Sequence, residues 1–271
     1  MRTSLRGALL LLWTAVVPMS TAWADADADR ARRLPNSALQ AILDGYEFYR
    51  RGDLAGAAKA WAPAAAVAPH RLQYLLAELL LSGAAGAPQT AQAIAFLREP
   101  ADHGHAEGQY WYGRALELAG RNGEALRWYT AAAAQKFPDA TAAAGVLHER
   151  AGDFAAARSA YESAAAAGNA RAQNNLGVLF ADGRIPVVTG DEAARWFREA
   201  ARQGLADAQY NLGSLYERGG NGIPPDDVEA YIWLTRASAQ GHEGARQMQA
   251  LVGARLTPVQ KTSAEQRLNG R

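Results

Sequence analysis

A small residue returns at one register through most of this chain: Gly45, Ala77, Gly113, Gly145, Gly177 and Gly213, at intervals of 32, 36, 32, 32 and 36 residues. Self-similarity at such a period marks stacked structural repeats and constrains the fold more than any local propensity does. A second series keeps step with it, at Ala57, Ala93, Ala125, Ala157, Ala193 and Ala230. Four residues after each comes a large side chain: Trp61, Leu97, Tyr129, Tyr161, Phe197 and Leu234. Three further on stand Ala64, Pro100, Ala132, Ala164, Ala200 and Ala237. Gln73, Gln109, Gln173 and Gln209 precede the small residue by four positions, with Thr141 in that place once.

Each period reads as two helices, A and B. Residues 209–216 place apolar side chains three and four apart, the mark of one buried helical face, and residues 193–201 do the same for helix B. Gly168, Gly204 and Gly241 follow helix B, where the chain must take positive φ to leave the helix. The small residue has a packing reason: two helices approach closely only where one side chain is small, and the large residue of helix B then fills the space beside it. One pair cannot bury its apolar face alone, whereas stacked neighbours can. The separation from the small residue to the helix B alanine is 12, 16, 12, 12, 16 and 17 residues. The additional residues fall among turn formers such as Gly83, Pro88, Gly183, Pro186, Gly219 and Pro224, so long and short units differ in one loop.

Composition agrees with close-packed helices. The chain is 49% hydrophobic, much of it alanine, the strongest helix former and a small packing residue. With 28 basic and 27 acidic residues it lacks the basic excess of a nucleic-acid footprint. There are no cysteines, which excludes disulfides, thiolate metal sites and a cysteine nucleophile. Residues 1–24 read as a cleavable signal peptide, the competing reading being an uncleaved N-terminal anchor: Arg2 and Arg6, an uncharged apolar run over 7–17, Pro18, and Ala22-Trp23-Ala24 as a small-x-small cleavage site. The run is too short to span a bilayer, and no later segment is long and apolar enough, so a periplasmic protein is expected. Residues 25–36 are expected to be a disordered polar lead-in, 37–252 the repeat array, and 253–271 a C-terminal cap. In that cap Thr257 is expected to N-cap a last helix, with Pro258 at its first position.

The units resemble tetratricopeptide-type repeats, and the longer ones resemble the Sel-one-like subclass, whose pattern is A-x-x-Q-x-x-L-G-x-L-Y, a Gly-rich loop, then A-x-x-W-x-x-x-A-A-x-x-G. Residues 172–204 and 208–241 follow that pattern closely. The first unit is more similar to an ordinary tetratricopeptide, and the third and fourth are intermediate. The second departs most, with Ala77 for Gly and Pro100 for Ala. The resemblance covers about residues 37–252. It implies a right-handed α-solenoid of about six helix-turn-helix repeats plus a C-terminal capping helix. It also implies an interaction scaffold or adaptor for one or more envelope proteins or peptides, in envelope or exopolysaccharide assembly or in sensor regulation. By the same resemblance, helix A lines a concave binding face. Its exposed positions would be Ile42, Tyr46, Tyr49 and Arg50; Tyr74 and Glu78; Tyr110, Arg114 and Glu117; Glu149 and Arg150; Asn174 and Asp182; and Tyr210, Ser214, Glu217 and Arg218. Tyrosine and arginine are types that carry binding energy at interfaces.

A search for reaction chemistry finds little. Of five histidines, only His103 and His105, beside Asp102, cluster in sequence, short of the three or four ligands that zinc takes. No nucleophile elbow, phosphate-binding loop or zinc-protease motif is present. The chain is therefore read as a non-enzyme without cofactor, metal or nucleic-acid partner. The alternatives are a β-lactam-interacting protein, as described for cysteine-rich relatives whose cysteines this chain lacks, and a peptidoglycan binder stacking aromatics on sugar rings. Trp61, Trp128, Trp196 and Trp233 fall on helix B near one repeat position and read as core. Of Tyr110, Trp111 and Tyr112, one is expected at the surface.

Overall fold

The structure, a computed structural model, describes residues 27, 29–186, 191–220 and 222–270. Regular structure among these is helical, apart from one isolated bridge between Gly220 and Ile223. The chain divides into two compact units, the first ending at Phe137 and the second beginning at Pro138. The first holds α1 (Asn36–Arg50), α2 (Leu54–Trp61, extended by a 3-10 turn over Ala62–Ala64), α3 (His70–Ser82), α4 (Thr90–Asp102), α5 (Ala106–Leu118) and α6 (Asn122–Ala134). The second holds α7 (Pro138–Arg150), α8 (Phe154–Ala166), α9 (Ala170–Ala181), α10 (Glu192–Arg202), α11 (Ala206–Arg218), α12 (Asp227–Ala239), α13 (Glu243–Arg255) and α14 (Pro258–Asn269). Within each unit the helices pack on their neighbours in sequence, A on B and B on the next A, which is the solenoid arrangement.

The small-residue register is a steric seat. A Cβ on Gly45 would stand 2.1 Å from the Trp61 indole. On Gly113 it would stand 2.8 Å from the Tyr129 ring, on Gly145 2.6 Å from Tyr161, on Gly177 2.7 Å from Phe197, and on Gly213 2.8 Å from Leu234. Burial of these large residues is nearly complete, from 0% exposure for Trp61, Leu97, Tyr129, Tyr161 and Leu234 to 3% for Phe197. The seat is the same whether the intervening loop is short or long, so the additional loop residues leave the stack intact. Pro100, the departure in the second unit, lies in the last turn of α4, which continues to Asp102. It is buried against Gly108 of the next helix, where a Cβ would meet Pro100 at 3.1 Å.

Helix ends follow local chemistry. Asp53, Asp153, Asn169 and Asp226 accept backbone N–H bonds at the starts of α2, α8, α9 and α12, each worth about 1 kcal/mol. Gly168, Gly204 and Gly241 take φ of +86°, +90° and +87° after helix B. Thr257 and Gln260 form a reciprocal capping box at α14, with Pro258 at its first position.

Three sequence expectations change. Within 25–36, residues 29–32 are helical, and Asp27, Ala31 and Leu34 are 3%, 7% and 2% exposed, so the described lead-in is folded onto the stack. Helix α13 runs to Arg255, past the expected boundary at 252. The tryptophans occupy two registers: Trp61 sits in the seat, whereas Trp128, Trp196 and Trp233 stand one residue before it. Trp128 and Trp196 are half-buried, while Trp233 is 7% exposed. Residues 1–24 lie outside the described residues. Among those described, no helix is long and apolar enough to cross a membrane.

Candidate functional site

Side chains on the A helices sort into those held inside and those that reach out. In the first unit, Tyr46 and Tyr49 of α1 lie against Trp61, with ring centroids 5.4 and 5.7 Å away. Tyr49 is 36% exposed, and Arg50 and Glu78 are exposed. Tyr110 is half-buried between Tyr129 and Phe137, at 6.0 and 5.4 Å. Arg114 is anchored by Glu117 at 2.9 Å, its side chain 40% exposed against 5% for the glutamate. Of the aromatic trio, Tyr112 is buried, and Tyr110 and Trp111 are both partly exposed.

In the second unit, Arg150, Asp182 and Arg218 are exposed, and Glu149, Tyr210 and Glu217 are partly so. Glu149 accepts from Tyr161 at 2.8 Å and from Arg184 at 3.1 Å. Glu217 accepts from Arg255 at 3.0 Å. Tyr210 stacks on His242 with centroids 4.5 Å apart. Tyr216 accepts from Arg198 at 3.2 Å and is packed between helices.

Five residues expected on the open face are instead interior. Ile42 is fully buried, and its carbonyl receives the Trp61 indole N–H at 3.0 Å. Tyr74 is 6% exposed, with its hydroxyl 3.3 Å from His105 Nδ1. Glu117 is 8% exposed because Tyr129 donates to it at 2.8 Å from beneath. Asn174 accepts from Asn211 at 2.9 Å, and Ser214 contacts Met248 Sδ at 3.4 Å; both are buried. Ile42 and Glu117 are covered by helix B of their own repeat, whereas Tyr74, Asn174 and Ser214 meet residues of the next repeat.

Tyr129 and Tyr161 couple two repeat positions, because each phenol donates to a glutamate one helix back, twelve residues earlier in sequence. Burial, reinforced by that carboxylate, pushes both phenols far above the ordinary tyrosine range. Where the partner position is Ala181, the seat residue is the apolar Phe197, and where Glu217 is taken by Arg255, it is Leu234.

The recurring glutamines form a ladder that the sequence signalled without explaining. Gln73, Gln173 and Gln209 donate to the carbonyls of Ala65, Ala165 and Ala201 on the preceding helix B. Gln109, Gln173 and Gln209 in turn accept at 2.8 Å from Gln135, Gln203 and Gln240, which close the following helix B. In the second repeat that closing residue is His103, whose ring faces the Glu99 carbonyl at 2.8 Å, and Gln73 Oε1 is buried without a partner among the described residues.

The histidine pair of the sequence gains company. His70 lies edge-on to His105, with centroids 4.4 Å apart. Arg30 donates to His70 Nε2 at 2.9 Å and to both oxygens of Glu99 at 3.1 Å. Asp27 accepts the backbone N–H of His70 at 2.8 Å and so caps α3 from 43 residues away. Burial alone would raise the Asp27 pKa, but its hydrogen bonds with His70 hold it below the usual carboxylate range. For His105, burial and then the His70 charge hold the imidazole below its ordinary value. A cleft of about 500 Å³ beside Arg30, Arg33, Val67 and His70 is open to solvent. Among the described residues no cluster has the geometry to hold a metal ion.

The Sel1 repeat model matches residues 70–105, 170–205 and 206–242, which include the second unit despite its substitutions. No curated protein matches the chain. Among solved structures it is similar to c5321, a protective antigen present in uropathogenic Escherichia coli strains and displaying an SLR fold. The match is 26% identical, covers 91% of this chain and 59% of that one, and has a TM-score of 0.65. The chain thus spans about three-fifths of that protein's length. It shares its fold with a Sel1 repeat protein from Oxalobacter formigenes, at 23% identity over 77% of this chain and 86% of that one, with a TM-score of 0.56. The chain therefore carries three Sel1 repeats, set in a helix-pair stack of the kind these structures display.

Proposed function

We propose that this protein is a periplasmic binding scaffold without catalytic activity, engaging an envelope protein or peptide through the exposed residues of its A helices. Sel1 repeat proteins generally mediate protein–protein interaction, and the family fold is a scaffold rather than a typical enzyme. The observation that carries the reading is how the polar A-helix side chains are held. Arg114 is fixed from below by a buried glutamate, Glu149 by Tyr161 and Arg184, and Glu217 by Arg255. Side chains ordered before a partner arrives lose less entropy on binding, which favours recognition by a firm surface. Their mixed charge and the half-exposed Tyr49, Tyr110 and Tyr210 suit a folded or peptide partner. The signal-like residues 1–24 support export.

The test is quantitative capture from envelope extract with the full-length tagged protein. Two variant sets, Tyr49→Ala/Arg50→Ala/Glu78→Ala and Arg150→Ala/Arg218→Ala, are compared with Arg127→Ala on a B helix. Loss of the same partner from either A-helix set, with Arg127→Ala unaffected, supports the reading. Equal recovery from all four proteins overturns it. Fractionation with N-terminal sequencing tests the export, with Asp25 expected as the first residue.

A further inference from the structure

Helix α13 stands in the register of a seventh helix A. Ala245 corresponds to Ala172 and Ala208, and all three are 0% exposed. Val252 is fully buried against α12, and Gly253 passes so close to Tyr231 that a Cβ would meet its ring at 2.9 Å. Ala250 then falls at the seat position, 37 residues after Gly213. In the five complete pairs with glycine there, that position lies beneath the large residue of helix B. Here nothing among the described residues lies over it: Gln247, Ala250 and Ala254 are exposed, and Leu251 is 68% exposed. The next helix does not fill the place. After Leu256–Thr257 the chain starts α14, which packs on α12 through buried Ala264 and the Arg267–Glu229 ion pair rather than along α13.

We infer that α13 is a half-repeat whose vacant seat binds an amphipathic helix of the helix B type, supplied by another protein. The interface would continue the one already built six times in this chain, which defines what fits: a small residue, a large one four positions on, and a small one three beyond. The seat also sets the size of the large residue. Where this register holds alanine in a complete pair, at Ala77, the large position holds Leu97, whereas the rings of Trp61, Tyr129, Tyr161 and Phe197 all face glycine. A methyl group at 250 therefore selects a central leucine over a ring. This is helix-in-groove recognition with a hydrophobic anchor, at the C-terminal end of the row of A helices.

The test uses full-length protein and two synthetic peptides. One is residues 191–204, which carry helix α10, and the other is the same peptide with Phe197→Leu. Binding is read by fluorescence anisotropy. The leucine peptide is expected to bind more tightly, by roughly the tenfold that one well-seated side chain can supply. Ala250→Gly, which restores the glycine seat, should reverse the preference toward the phenylalanine peptide. Leu251→Asp should abolish binding of both, with unchanged helicity because the site is exposed. Binding of neither peptide, no reversal in Ala250→Gly, or sedimentation showing a self-dimer that Leu251→Asp dissolves would each overturn the inference. Arg150→Ala/Arg218→Ala should leave peptide binding intact, so failure here is separable from failure of the scaffold reading.

Discussion

Gly145 lies directly under Tyr161, so close that a Cβ at 145 would stand 2.6 Å from the ring. The contact is backbone to ring, repeated at Gly113 beneath Tyr129, and it fixes the spacing of helices A and B in each pair. Gly145→Ala is expected to destabilise the protein by about 1–3 kcal/mol, the usual cost of forcing volume into a packed core. Gly123, in the first turn of α6, has nothing within 4 Å of its Cβ position. Gly123→Ala should instead stabilise by about 0.5–1 kcal/mol through a less flexible unfolded chain. Urea unfolding of both variants checks the pair of signs.

The glutamine ladder predicts a gain. Gln73 Oε1 is buried without a donor because His103 replaces the glutamine found at 135, 203 and 240. His103→Gln should complete the second rung and stabilise by about 0.5–1.5 kcal/mol, the net value of one added hydrogen bond. Gln203→Ala should cost a similar amount by orphaning Gln173. Thermal unfolding of the two variants settles whether the rung is energetic or incidental.

Tyr129→Phe leaves the Glu117 carboxylate, 8% exposed, with Arg114 but without its phenol, and should cost about 1–3 kcal/mol. Because burial and Glu117 hold the phenol proton, Tyr129 should not ionise while the protein is folded. Alkaline absorbance titration should show the Tyr129 contribution, obtained by difference from the Phe variant, only as the fold is lost.

Acid sensitivity should trace to His105. Burial and then the His70 charge depress its folded pKa, so the unfolded chain takes up the proton first as pH falls. The stability involved is present above about pH 6.5, the unfolded value, and is lost as pH drops toward the folded one. Wild type should therefore weaken as pH falls below about 6.5, and His105→Gln should flatten that slope. Denaturation midpoints across the range measure it.

Asp27→Ala removes a side chain that caps α3, whose own N-cap residue is Pro69. A loss of about 0.5–2 kcal/mol is expected at neutral pH. Since the Asp27 folded pKa lies below its unfolded one, wild type and variant should converge only at strongly acidic pH, as the carboxylate protonates. Chemical denaturation at neutral and acid pH distinguishes this cap from a passive contact.

What could be read in advance follows from the range of each interaction. The seat was legible because Gly145 and Tyr161 recur at fixed spacing, and a steric requirement leaves the same residue types each time. The caps at Thr257 and Gly168 were legible because their partners lie within a few residues. Burial of Asn174 and Ser214 was not, because it depends on Asn211 and Met248, one repeat away. Nor was Asp27, whose partners lie 43 and 44 residues on, in a segment whose composition reads as polar tail. The glutamines showed their register in sequence, but their meaning needed the paired residues at 135, 203 and 240 brought alongside.

The tether between helices A and B is 4 residues longer between Gly177 and Ala193 than between Gly145 and Ala157, yet the seats at Gly145 and Gly177 hold their rings at nearly equal range. Length is therefore free currency at those bends. An insertion there should leave the contact of glycine beneath ring, and with it the spacing within each helix pair, unchanged.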